Sequence, residues 1–286
     1  MAEASCPASC GELLQGWILG GEKLVSCPIN WFSHVAVTDG QPAKHERPLM
    51  RQMLLTVLEH LGMATDIARG LRIDFHSTIP LAKGMASSTA DIAATAQAAA
   101  RHLGSPLDEA TLARLCVQLE PTDSTLFRRL TLFDHQTAAL QHPFDWLPTL
   151  DILLLESPQT LNTADYHRRD RHHALLDNAA TLAQAWELFS RAMKTHDCGK
   201  LGEATTLSAR ASQTLLPKPR FDDLLALVEQ SGIYGLNVAH SGSVVGLLFD
   251  AEKHDSEKLC WLLQQRQISE SYPQQHYLTL IHGGVR

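Results

Sequence analysis

The chain has 286 residues, a formal net charge of -7, 44% hydrophobic and 19% charged residues. That length suits two globular domains rather than one, and the acidic balance argues against nucleic acid as a partner, because phosphate backbones need a basic footprint. No basic-then-apolar leader opens the sequence, no apolar run approaches the ~18 residues of a membrane span, and no C-x-x-C pair occurs among the six cysteines. The expectation is a reduced, cytoplasmic protein with no membrane partner.

In chain order, "KLVSCPI" (23–29) and "HVAVTDG" (34–40) read as short β-branched strands. "RPLMRQMLLTVLEHLGM" (47–63) reads as a helix with Leu54, Leu58 and Leu61 on one face. "LRIDFHS" (71–77) alternates Leu71, Ile73 and Phe75 with polar residues, the period of a half-buried strand. A small-residue loop follows Pro80, and an alanine-rich helix then runs to about Leu103, closed by Gly104. The next helix is expected to start at Ser105 as N-cap with Pro106 in its first turn, and to end at Glu120-Pro121. Composition shifts near "QHPFDWLPTL" (141–150), which places a domain boundary between residues 1–150 and 151–286. The second half reads strand (151–156), helices (about 163–230), two strands joined at His240–Ser243, helix (256–265) and strand (276–282). That is the order of a ferredoxin-like split β-α-β unit, so the fold class is α+β.

The chemistry points first to the segment after Pro80. Small residues leading into a helix start leave backbone N–H groups available to an anion. A serine cap on an ordinary helix is the alternative, and neither a Walker A loop nor a dinucleotide fingerprint is present. Two more small-residue segments, "CPASCGELLQG" (6–16) and "HSGSVVGLLF" (240–249), are expected as loops near either end. Together, the ordered set resembles the GHMP kinase superfamily, whose central motif P-x-x-x-G-L-G-S-S-A reads here Pro80-Leu81-Ala82-Lys83-Gly84-Met85-Ala86-Ser87-Ser88-Thr89. Ala86 and Thr89 are its departures. The first motif differs from that of homoserine kinases at Gly11, Glu12 and Gln15. With "EPTDSTLFRRLTLFDH" (120–135), it most resembles the L-threonine kinase group, which makes O-phospho-L-threonine for the aminopropanol arm of cobalamin.

The resemblance implies a two-domain fold (an S5-like N-terminal domain and a ferredoxin-like C-terminal domain), ATP and Mg²⁺ as cofactors, and L-threonine as small-molecule partner. It implies that Lys83, Gly84, Met85, Ala86, Ser87, Ser88 and Thr89 hold the ATP phosphates, with Ser88 and Glu120 on Mg²⁺. Asp123 is the candidate general base, or orients the hydroxyl, though it lies unusually close to Glu120 for the family. Glu12 is the candidate partner of the substrate ammonium and Arg128 of its carboxylate, with Ser241, Gly242 and Ser243 closing the pocket. Homoserine as substrate, and a non-catalytic ATP and amino-acid sensor, are the competing expectations. The basic cluster "YHRRDRHH" (166–173) matches no zinc spacing and reads first as a solvated helix start. Oligomeric state is left open, a homodimer included.

Overall fold

The structure is a computed structural model and describes residues 1–160 and 170–286. Its first two elements are long strands, Ala2–Ile18 (β1) and Gly21–Asp39 (β2), turned at Leu19 and Gly20, both with left-handed φ. The segment 6–16, expected as a loop, therefore lies inside a strand, and the two short strands expected over 23–40 are one. Bulges reconcile small residues with the ladder: the β1–β2 register slips between Pro7 and Ser9, Ser9 and Glu12, and Glu12 and Leu14.

Pro48–His60 (α1) forms the expected helix. Leu71–Ser77 (β3) pairs with β2 through Val35 opposite Phe75, as its alternation predicts. Ser87–His102 (α2) buries almost every side chain against β1 and β2, and alanine makes that close approach affordable. Gly104 follows it at φ +77, the left-handed stop that the sequence indicated. The next helix, Glu109–Leu119 (α3), begins later than expected. Asp108 takes the cap, its carboxylate accepting from Thr111 N–H at 2.7 Å, so Ser105 and Pro106 stay in the connection.

Two short strands, Thr131–Phe133 (β4) and Gln141–Pro143 (β5), complete the first half. The second half comprises Asp151–Glu156 (β6), the helices His172–Asp177 (α4), Ala179–Thr195 (α5), Cys198–Ser212 (α6) and Phe221–Ser231 (α7), then Gly235–Val238 (β7), Val245–Phe249 (β8), Ser256–Gln265 (α8), Ile268–Ser271 (α9) and Gln274–Thr279 (β9). Among the described residues the strands form one sheet in the order β5-β4-β2-β1-β7-β8-β6-β9, with β3 also on β2. Its β7-β8-β6-β9 portion is antiparallel in the arrangement of a split β-α-β unit. The two halves join where Glu12 of β1 faces Val238 of β7. The C-terminal tail returns to the first half: Arg286 and Ser5 exchange both backbone hydrogen bonds, at 2.9 and 3.0 Å. Among the described residues no helix is long and apolar enough to cross a membrane. Cys6, Cys10, Cys27 and Cys116 are buried free thiols whose pKa burial pushes up, which suits packing and not nucleophilic chemistry.

Lys218 is a buried cation with a shifted pKa. It is 5% exposed, its ammonium meets the Leu216 carbonyl at 3.2 Å, and no carboxylate among the described residues pairs with it; burial pushes its pKa down to about 7. The unfolded chain therefore holds a proton that the folded chain lacks between about pH 7 and the ordinary lysine value near 10.5, and stability from this group rises with pH through that window. Lys218→Met is expected to melt higher than the parent at pH 7, with the gap narrowing as pH rises toward 10. Melting curves across that range check it, and a gap independent of pH would contradict it.

Candidate active site

The connection between β3 and α2 is backbone held in unusual conformations. Ala82, Gly84 and Ala86 have φ of 58, 77 and 56°, and for the two alanines that region costs about 1 kcal/mol each. Alternating left-handed residues turn successive N–H groups toward one side, the arrangement of an anion-binding concavity. Ala86 is the N-cap of α2 and supplies no side-chain acceptor. Neither Ser87 nor Ser88 caps the helix, and the first bond of the ladder is Ala90 N–H to Ala86 at 2.8 Å. The earlier N–H groups of α2 thus open at the positive end of a 16-residue helix.

Close backbone contacts hold this loop in place. Ser9 N–H donates to Met85 at 3.0 Å, and Ser243 and Val244 N–H both donate to the Lys83 carbonyl, at 3.0 and 3.2 Å. A Cβ on Gly84 would lie 2.4 Å from the Ala239 methyl, and one on Gly242 would lie 2.1 Å from the Lys83 oxygen. Both positions need glycine because one main chain rests on another.

The loop forms one wall of a cleft with a cavity volume of about 70 Å³, lined also by Glu12, Glu120, Pro121, Asp123, His240 and Ser241. Three carboxylates converge there. Glu12 is 2% exposed, and the β1 bulge at Gly11 (φ +59) turns it inward. Burial drives its pKa well above the ordinary value, neighbouring Asp123 adds to the rise, and its Oε2 has no hydrogen-bond partner. Burial also raises Asp123, against which the Thr89 hydroxyl (3.0 Å), the charge of His240 and a hydrogen bond from Glu12 act. Two carboxylates brought together in a buried cavity hold a proton more readily than either would in water. Glu120, the C-cap of α3, is raised by burial and by Asp123 and Asp91, partly offset by a hydrogen bond from Ser88.

Sequence comparison decides the family. Residues 48–127 match the GHMP kinases N terminal domain, and residues 187–260 the GHMP kinases C terminal domain. An L-threonine kinase from Citrobacter freundii is 59% identical over 285 residues, covering 100% of this chain and 99% of that one. An L-threonine kinase from Salmonella typhimurium is 57% identical over 286 residues, covering 100% and 95%. The chain belongs to the GHMP kinase family. Its fold is likewise similar to a crystal structure of mevalonate diphosphate decarboxylase from Staphylococcus aureus, with a TM-score of 0.75 at 14% identity over 100% and 97% of the two chains.

Within this GHMP kinase fold, the residues singled out from the sequence divide. Gly84 to Thr89, Ser241, Glu12, Glu120 and Asp123 share the cavity. Thr89, a departure from the family motif, places its hydroxyl between the Asp123 carboxylate and the Asp123 N–H. Lys83 is turned away from the cavity: its ammonium reaches the Ser157 and Gln159 carbonyls at 2.5 and 3.1 Å and Glu156 at 3.6 Å, so it anchors the loop to the end of β6. Gly242 and Ser243 brace the loop from behind, with the Ser243 hydroxyl on the Gln159 carbonyl at 2.7 Å. Arg128 is exposed outside the cavity, its backbone N–H donating to Glu109. The preceding turn buries Leu126 and Phe127, so Arg128 and Arg129 emerge on the far side, where Arg129 pairs with Asp145.

His240 was not singled out. Its Nε2 lies 3.0 Å from Glu22 on β2, and Glu22 also receives Arg171 at 2.5 and 3.2 Å. The imidazole edge packs against His135, with ring centres 5.0 Å apart. Glu22, His135 and His240 are near enough together to suggest a metal ligand set, but the Arg171 guanidinium already neutralises Glu22. Of the basic cluster, residues 166–169 lie outside the described residues, and His172 packs edge-on against Trp17.

The raised Glu12 pKa carries a sign. The folded state keeps a proton that the unfolded chain releases above the ordinary glutamate value, so this contribution to stability is present at acid pH and lost as pH rises. Glu12→Gln removes the buried acid and keeps the side chain's shape. Its ligand-free melting temperature is expected to exceed the parent's at pH 8, with the difference vanishing toward pH 4. A lower melting temperature at pH 8 would contradict the raised Glu12 pKa.

Proposed function

We propose that this protein transfers the γ-phosphoryl group of ATP to the side-chain hydroxyl of L-threonine, giving O-phospho-L-threonine and ADP. The observation that carries the reading is one cavity holding both an uncapped helix start and the Glu12–Asp123–Glu120 carboxylates, in a chain of full-length similarity to L-threonine kinases. We assign residues 1–150 to a phosphate-binding domain and 151–286 to the domain that braces it.

The backbone N–H groups of residues 84–89 bind the ATP phosphates, stabilising negative charge with dipoles fixed in advance. Asp123 accepts the threonine hydroxyl proton as that oxygen bonds to the γ-phosphorus. The bond from the γ-phosphorus to the bridging oxygen breaks, and ADP leaves with its electron pair. Glu12 presents its unpartnered Oε2 to the substrate ammonium. Ser88 and Glu120 would hold Mg²⁺: both offer hard oxygen, and burial penalises the Glu120 charge that a cation would relieve. Such an ion, when bound, neutralises charge developing on the transferring phosphoryl group. The product would serve as the precursor of the aminopropanol linker of cobalamin, and the enzyme would act in the cytoplasm.

The test is ADP release with L-threonine, with homoserine and with no amino acid, the phosphorylated product being identified by mass. L-Threonine is expected to give the highest kcat/KM. Preference for homoserine would overturn the substrate, and ATP binding without turnover would overturn catalysis. Asp123→Asn is expected to lower kcat roughly 10²- to 10⁴-fold, measured under saturating ATP and threonine.

A further inference from the structure

The backbone around Asp123 is pinned on both sides. Thr122 N–H donates to the His135 carbonyl at 2.9 Å, and the Ser26 and Ser124 hydroxyls each accept the other residue's N–H at 2.9 Å. The main chain is therefore held by β2 and by the segment after β4, while the carboxylate keeps two torsions of its own. Local chemistry offers that carboxylate a different place. Asp123 occupies the N-cap position of the short turn Ser124–Leu126, where an aspartate ordinarily accepts from the N–H groups that follow it, yet its side chain makes no capping bond.

Thr89 supplies the alternative. Its hydroxyl donates to Asp123 Oδ2 at 3.0 Å and accepts the Asp123 N–H at 3.2 Å, so one side chain holds both the carboxylate and its backbone. Thr89 is the third residue of α2, is 2% exposed, and lines the same cavity as Asp123. A helical threonine has few χ1 choices, and its hydroxyl commonly bonds back to a carbonyl one turn earlier. This one crosses instead to a residue 34 positions on. The GHMP motif carries alanine at this position, which has no hydroxyl to offer.

We propose that Thr89 is a positioning residue for Asp123: its hydroxyl takes Asp123 Oδ2 away from the local cap, leaves Oδ1 to receive the proton of the substrate hydroxyl, and ties the base to the helix start that holds the phosphates. The Thr89 side chain touches neither reacting atom. It works through Asp123, and the inference rests on the reading of Asp123 as the base.

Steady-state kinetics on the full chain test it. Thr89→Val keeps the shape and the backbone N–H and removes the hydroxyl. It is expected to lower kcat by about 10- to 100-fold, the size of a lost hydrogen bond to a charged group, while KM for ATP and for L-threonine stays within about twofold. Thr89→Ser, which restores the hydroxyl, recovers most of that loss. In an Asp123→Asn background Thr89→Val costs less than about twofold further, because the group it positions is gone. Should Thr89→Val not fold, Thr89→Ala, which carries the residue of the motif, reads the same loss. Parental kcat in Thr89→Val, a loss in Thr89→Ser as large as in Thr89→Val, or losses at Thr89 and Asp123 that multiply would each overturn the proposal. A rise in KM for ATP with kcat kept would overturn it in favour of a phosphate contact by the hydroxyl. Asp123→Asn with parental kcat would instead overturn the base assignment, so the two failures are distinguishable.

Discussion

Charge of one sign, gathered out of water, is the constraint around which this protein is organised. Glu12, Glu120 and Asp123 come from β1, the end of α3 and the turn that follows it, and each is raised by burial. An isolated ionised carboxylate in such a setting costs several kcal/mol. The cost is lowered by hydroxyls from Ser88 and Thr89 and by the charge of His240. What remains is a cavity that favours a cationic ligand group. That preference is set by folding, before any substrate arrives.

Beside its acids the same cavity has a wall of open backbone N–H groups, and main-chain packing holds that wall in place. Dipoles of the loop and of the α2 start can serve an anion only if they do not reorganise on binding. The loop is fixed on three sides, by Ser9 of β1, by Ser243 and Val244, and by the Lys83 ammonium on the β6 end. Gly84 and Gly242 make that fixation possible, since any side chain at either would separate the two strands of backbone. Preorganisation here comes from contact between residues far apart in sequence.

Local order was legible where one residue type determines one local conformation. The alternation of Leu71, Ile73 and Phe75 marks β3, Gly104 marks the stop of α2, and the sequence of elements after residue 151 gives the split β-α-β arrangement. Signals failed where competing groups were close in sequence: Ser105 and Asp108 both fit a cap, and the geometry of Thr111 favours Asp108. They failed at β1 because bulges leave no periodicity for small residues to display. In the site, motif residues on the loop and the three acids were readable. The long cations were not, because Lys83 and Arg128 carry the same charge wherever their stems lead. His240 was hidden because its partner Glu22 is 218 residues away in sequence.

The joint of the sheet carries a mechanical consequence. The two halves meet along β1 and β7, where Glu12 sits directly opposite Val238, and Gln15 and Asn237 stitch the same line. If the halves rock against one another, this line is the hinge axis, and points on an axis do not travel. Glu12 would stay nearly still while the rims of the cleft sweep past it. The Glu12 carboxyl thus lies at the fulcrum, and its place in the cavity is insulated from opening and closing.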